Sequence, residues 1–324
     1  MKNFRNNISL LTMIVLLAAF VVTAILLIDK HEPKKQERTQ VSLIVYGDDS
    51  ERWENLREGA GLVCGEKDAD LSLLTMLSEN DVSEQEEIIL REVEDGTDAM
   101  IIAACNSGEI KDFIKSRNLK IPVIFVESVN EETKTVDCIA PDDYMMGYEL
   151  GETIAKYEGD IVTVAIISDN TQRDSLSLRE KGLRDAIEGK VGRILTWTRS
   201  DAQKSVKTRM FIQKAIVSEA TDVIVAFDNT TTDALIDALE NLNQTSKVYS
   251  ISTSNKAVYN LYNKEIRALE YPDEFSMGYL AAMYALDRSY ADKKYSDKEI
   301  EYRLVRKENM YDEDNQALLF PFVN

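Results

Sequence analysis

A chain of 324 residues has room for about two domains, and 57 Asp and Glu against 38 Lys and Arg give a formal net charge of −19. A surface this acidic repels phosphate backbones, which excludes nucleic acid as a partner. The three cysteines (Cys64, Cys105, Cys138) are too few and scattered for a disulfide framework or a zinc site, and each lies in or beside an apolar run, where Cys reads as a small buried hydrophobe.

In chain order, residues 1–7 read as a cytoplasmic tail and Ile8 to Ile28 as a membrane span. That stretch has no charged residue, and its length of roughly 30 Å as a helix matches a bilayer core. A cleaved signal peptide is the alternative, with Val22-Thr23-Ala24 as a cleavage site. Ile25-Leu26-Leu27-Ile28 continues the apolar run past that point, which favours an uncleaved anchor. No cysteine follows the run, so a lipid anchor is not expected. Lys2 and Arg5 precede the segment while Lys30, Lys34, Lys35 and Arg38 follow it, and the positive-inside rule does not decide the orientation. Residues 29–40 read as a solvated linker.

From Val41 onward, short apolar runs alternate with amphipathic stretches. The predicted strands are 41–47, 70–76, 99–104, 121–126, 161–167, 191–197, 222–227 and 247–252. Between them lie helical patterns such as Glu51–Glu66, Val82–Val93, Tyr144–Tyr157, Leu176–Ile187 and Thr231–Leu242. Continuous apolar strands alternating with helices predict α/β architecture with parallel sheets covered on both faces. The series breaks near Ile139-Ala140-Pro141-Asp142 and restarts at Ile161, which predicts two Rossmann-like lobes in tandem with a ligand cleft between them. The spacing Gly147-x-x-x-Gly151 is expected to serve close helix–sheet packing.

Several chemistries are missing. The sole histidine, His31, lies in the linker, which removes His-dependent triads and His-based metal sites. No dinucleotide or phosphate-loop fingerprint and no nucleophile elbow occurs. Carboxylates are plentiful, so composition alone leaves a paired-carboxylate hydrolase open. Binding without turnover, cofactor or metal is the expectation.

The order of segments resembles the type 1 periplasmic binding proteins, in the ribose-binding and lactose-repressor-like branch. The segments are RWENLREGAGLVCGEKDADLSLL, EQEEIILREVEDGTDAMIIAACN, NLKIPVIFVES, IAPDDYMMGYELGETIA, VAIISDN, SLREKGLRDAI, DVIVAFDNTTTDALIDAL and YNKEIRALEYPDEFSMGYLAA, followed by Val305-Arg306-Lys307-Glu308-Asn309. Each is weak alone, and their shared order carries the likeness. The resemblance implies a multi-strand hinge, a first lobe from 41–140 plus 271–302, and a second from 141–270 plus 303–324. It implies closure on a small polar ligand, with Trp53 as a stacking ring and Asp49 and Ser50 in the same loop. Asn106, Arg179, Asp228 and Ser254 follow as polar contacts, with Glu270 where many sugar binders carry Gln.

The residues also admit plainer roles. Trp53 packs on its own helix, Asn106 ends its strand in an Asx-turn, Arg179 pairs with a carboxylate such as Asp174, and Asp228 caps a helix. Ser252-Thr253-Ser254 replaces the family's Gly-Phe-Asp pattern. Together with Glu270, that leaves the ligand open between a sugar and an amino-bearing compound. The implied function is an extracytoplasmic solute receptor for ABC-type uptake through a membrane permease. The alternative is a sensor that signals through a membrane histidine kinase or chemoreceptor. Leu318-Leu319-Phe320-Pro321-Phe322 is expected to pack onto a lobe, with an exposed partner patch as the alternative.

Overall fold

The structure is a computed structural model that describes Thr23 and residues 38–47, 51–127, 138–169, 173–199, 205–287 and 300–320. The chain divides into Met1–Arg38 and Thr39–Asn324. The apolar segment 8–28 therefore lies outside the described residues, Thr23 excepted. No helix among the described residues is long and apolar enough to cross a membrane.

The first lobe is built on β1 (Thr39–Ile44), β2 (Ala69–Leu74), β3 (Ala99–Ala103), β4 (Val123–Val126) and β5 (Cys138–Ile139), in the order β2-β1-β3-β4-β5. All of its described pairings are parallel. The strand AMIIA is buried at every position, as a central strand covered on both faces must be. Helices α1 (Glu54–Glu66), α2 (Val82–Glu94) and α3 (Ser107–Arg117) connect the strands.

After β5 the chain crosses at Ala140–Asp142 into α4 (Asp143–Glu158) and the second lobe. There β6 (Thr163–Asp169), β7 (Arg193–Arg199), β8 (Val223–Ala226), β9 (Lys247–Ile251), β10 (Ile266–Pro272) and β11 (Tyr302–Val305) take the order β11-β10-β9-β8-β6-β7. The β10–β11 pair is antiparallel and the other described pairs are parallel. Its helices are α5 (Asp174–Ile187), α6 (Ser205–Ser218), α7 (Asn229–Leu242) and α8 (Asn255–Tyr262). From β10 the chain returns at Asp273 into α9 (Glu274–Leu286), which packs on the first lobe, and Ile300 still belongs to that lobe's core before β11 rejoins the second sheet. A last helix, α10 (Glu313–Leu319), seats Leu319 in the second core with Leu318 and Phe320 against it.

The two lobes share one packing device. In the second lobe, a Cβ on Gly147 of α4 would lie 1.9 Å from the Arg179 carbonyl oxygen of α5. In the first lobe, a Cβ on Gly278 of α9 would lie 1.9 Å from the Leu56 carbonyl oxygen of α1. Each lobe thus presses the helix that follows a crossing against the helix that follows its first strand, backbone to backbone. The expected helix–sheet role of the Gly147–Gly151 spacing is corrected by this contact, because the surface it meets is another helix.

Candidate ligand-binding cleft

In open α/β sheets the residues just beyond strand C-termini face the ligand side. Here those ends from both lobes carry a cluster of buried charges. In the first lobe, Tyr46 follows β1 and donates its hydroxyl to Glu127 after β4 at 2.5 Å. Arg52, in the single turn Glu51–Trp53, pairs with Glu127 and, at 2.7 Å, with Glu274 at the start of α9. Burial works to raise the Glu127 carboxyl, but Arg52, Arg179 and the Tyr46 hydrogen bond outweigh it and hold it below the usual range. Glu274 goes the other way: burial raises it, and Arg52 only partly offsets the shift.

The second lobe supplies more guanidinium groups. Arg173 lies just ahead of α5, 3.3 Å from Asp228, with its guanidinium 4.3 Å from the centre of the Tyr46 ring. Arg199, at the end of β7, takes Thr208 at 2.7 Å and stands 3.6 Å from Glu79 of the first lobe. Burial opposes ionisation of Asp228, but Arg173 and Arg199 overcome it and keep the carboxylate charged. Arg179 holds Asp143 at 2.7 Å and the Phe227 carbonyl oxygen at 2.8 Å. Burial pushes the Asp143 carboxyl up to about 6 against the pull of Arg179.

The residues singled out from the sequence fall into three groups. Asp228 and Arg179 lie in this cluster. Asp228 does two things at once, since Oδ1 caps α7 through the Thr231 amide at 2.7 Å while Oδ2 faces Arg173. Arg179 pairs with Asp143 and not with Asp174, because it lies on the face of α5 turned to the start of α4.

Asn106, Ser254 and Trp53 serve local structure. Asn106 caps α3, accepting from the Glu109 amide at 3.0 Å, and Ser254 caps α8 while donating to Asp233 at 2.6 Å. Trp53 is 1% exposed, donates its indole N–H to the Tyr46 carbonyl oxygen at 3.1 Å and carries the Arg52 guanidinium 4.2 Å above its ring. Its faces are turned into the first lobe's core and under Arg52, which opposes the stacking role the resemblance implied. Asp49 and Ser50 lie outside the described residues.

Glu270 stands apart. It shares the sheet face of Ala268, whose neighbours in the core include Met146 and Leu150 of α4, and Glu149 is its charged neighbour. It is fully buried, neither carboxyl oxygen has a hydrogen-bond partner, and burial, reinforced by Glu149, raises its pKa well above the ordinary value.

Sequence reasoning missed Tyr46, Arg52, Glu79, Glu127, Asp143, Arg173, Arg199 and Glu274. The strand-end rule, applied to every apolar run instead of selected ones, picks out Glu127 directly after IPVIFV and Arg199 two residues beyond VGRILTW. Among the described residues, the cavity beside Asp228 and Thr231 measures about 30 Å³. That cavity is lined by residues of the second lobe alone, Ile167 and Phe227 among them, and is far below the roughly 300 Å³ of an ordinary ligand pocket.

The fold has well-matched relatives among solved structures. A carbohydrate transporter solute-binding protein from Agrobacterium radiobacter, in complex with D-arabinose, is 20% identical with a TM-score of 0.76, over 88% of this chain and 100% of that one. A glucose-galactose binding protein from Geobacillus stearothermophilus is 17% identical with a TM-score of 0.73, over 85% and 100%. A chain of the XylFII-LytSN complex is 17% identical with a TM-score of 0.73, over 84% and 98%. No curated protein matches significantly. The family model for the periplasmic binding protein domain matches residues 41–292, and the chain belongs to that family, whose members bind ligands and do not turn them over.

Proposed function

We propose that this chain is an extracytoplasmic solute-binding protein that closes its two lobes on a sugar or sugar derivative for ABC-type uptake, held to the membrane by residues 8–28. The observation that carries the reading is the convergence of buried carboxylates and guanidiniums from both lobes beyond the strand ends. Such groups match the alternating donors and acceptors of sugar hydroxyls. Two structural relatives are described as binding D-arabinose and as a glucose-galactose binding protein, which supports the ligand class. Asp228, Arg179, Arg173, Arg52 and the loop at Asp49-Ser50 are the proposed ligand contacts.

A second reading, a receptor that reports ligand occupancy to a partner protein, is favoured by one relative having been seen as the XylFII-LytSN complex. Both readings share lobe closure, which presents a composite surface to the partner. A thermal-shift screen of the full-length chain against sugars, sugar alcohols and amino sugars tests the common part. A ligand at 100 times its Kd adds about 2.7 kcal/mol of stability, a shift easily measured. Uptake of the hit sugar by cells lacking the protein then separates the two, since transport is lost only under the first.

A further inference from the structure

Glu79 is the residue that joins the lobes where they are farthest from their crossings. It follows β2, the outer strand of the first sheet, and meets Arg199 at the end of β7, the outer strand of the second. The chain crosses between lobes next to β5 and β10, at the opposite side of each sheet. Four strand spacings separate β2 from β5 and β7 from β10, about 19 Å in each lobe. A hinge rotation of about 20° therefore parts this rim by about 7 Å, more than any pairing nearer the hinge.

The carboxylate is held in place from both sides. Its loop is tied down by Glu84, which accepts from the Leu77 amide at 2.7 Å and the Ser78 amide at 3.3 Å, and by the Met76 amide on the Gly47 carbonyl oxygen at 2.9 Å. Gly47, at φ +81°, makes the turn beneath it, with its Cβ position 3.5 Å from the Glu79 side chain. Across the cleft, Oε1 of Glu79 accepts from Thr230 in the first turn of α7 at 3.0 Å, and Oε2 faces Arg199, which Thr208 orients. One carboxylate of the first lobe thus hydrogen-bonds α7 of the second and stands within ion-pair distance of the end of β7.

We propose that Glu79 is the latch of the closed form, so that the closed state is populated before any ligand enters and the ligand is retained by the same contact. The proposal rests on the two-lobe closure of the preceding section but needs no particular sugar. Its test is hydrogen exchange of the full-length chain in detergent micelles, without added ligand, for the native chain, Glu79→Gln and Thr230→Val. Glu79→Gln removes the charge that Arg199 meets, and Thr230→Val removes the hydrogen bond alone. The expected result is at least tenfold faster exchange in segments 77–83 and 228–233 together for Glu79→Gln, a smaller rise for Thr230→Val, and unchanged exchange in β3 and β8. Unchanged rim segments overturn the proposal, and so does an equal rise in β3 and β8, which marks general destabilisation. Failure of the sugar-binding reading shows elsewhere, as the absence of any thermal shift.

Discussion

Glu270 carries the clearest residue-level consequence. Its carboxyl is buried without a partner beside Glu149, so folding favours its protonated form. A carboxyl raised on folding costs nothing below its unfolded pKa of about 4.3, and stability falls as pH climbs from there toward the folded value. Glu270→Gln, the residue the resemblance implied, removes that titration. The variant should match the native chain near pH 4 and exceed it at pH 7 by at least about 1 kcal/mol, measured by urea unfolding across the range. A difference that stays flat with pH contradicts the assignment.

Arg52 behaves in the opposite sense, because it neutralises Glu127 and Glu274 together. Arg52→Met leaves the buried Glu274 carboxyl without its cation and takes from Glu127 the nearest of its arginines, and a loss of about 3–5 kcal/mol is expected in the same assay. Asp228 and Arg179 were legible because they follow recognisable motifs. Arg52 and Glu79 were not, because their meaning lies in partners far along the chain, Glu274 for the one and Arg199 for the other, which no local pattern encodes.

At the scale of elements, the backbone-to-backbone helix pairs set the geometry of each lobe. Gly147→Ala drives a methyl into the Arg179 carbonyl oxygen and should cost about 3 kcal/mol, seen as a lower Tm. Gly61→Ala, in α1 with its nearest neighbour atom at 3.9 Å, should instead raise stability by about 0.5–1 kcal/mol. Eight of the eleven described strands were readable from apolar runs, whereas β5, β10 and β11 were not among them, and two of the eight begin and end two residues later than their runs. Ile161 is 86% exposed, and the β6–β7 ladder starts at Thr163 opposite Arg193 and continues to Asp169 opposite Arg199. Apolarity reports which part of a strand the helices cover. The ladder runs on past it to the cleft rim, where polar residues are wanted, and so the polar strand ends escaped the pattern.

At the scale of the whole molecule, the lobes are alike in design and meet through charge. Their cores are apolar and separate, while the surface between them is a network of arginines and carboxylates. Closure of this kind is sensitive to what enters the network: under the proposed function a bound sugar would replace some of these hydrogen bonds with its own hydroxyls, and removing a cleft charge leaves its partner stranded. The two-lobe architecture followed from the break in strand–helix alternation near Pro141. The closed, charge-filled cleft did not, since it depends on both lobes at once.

The most direct test of ligand binding in this cleft is calorimetric titration of the full-length chain and of Asp228→Asn with whichever sugar gives the largest thermal shift. Saturable binding to the native chain is expected, with at least a hundredfold weaker binding to Asp228→Asn and the variant still folded. Equal affinity for both chains would place the ligand outside the interlobe cleft and contradict the account.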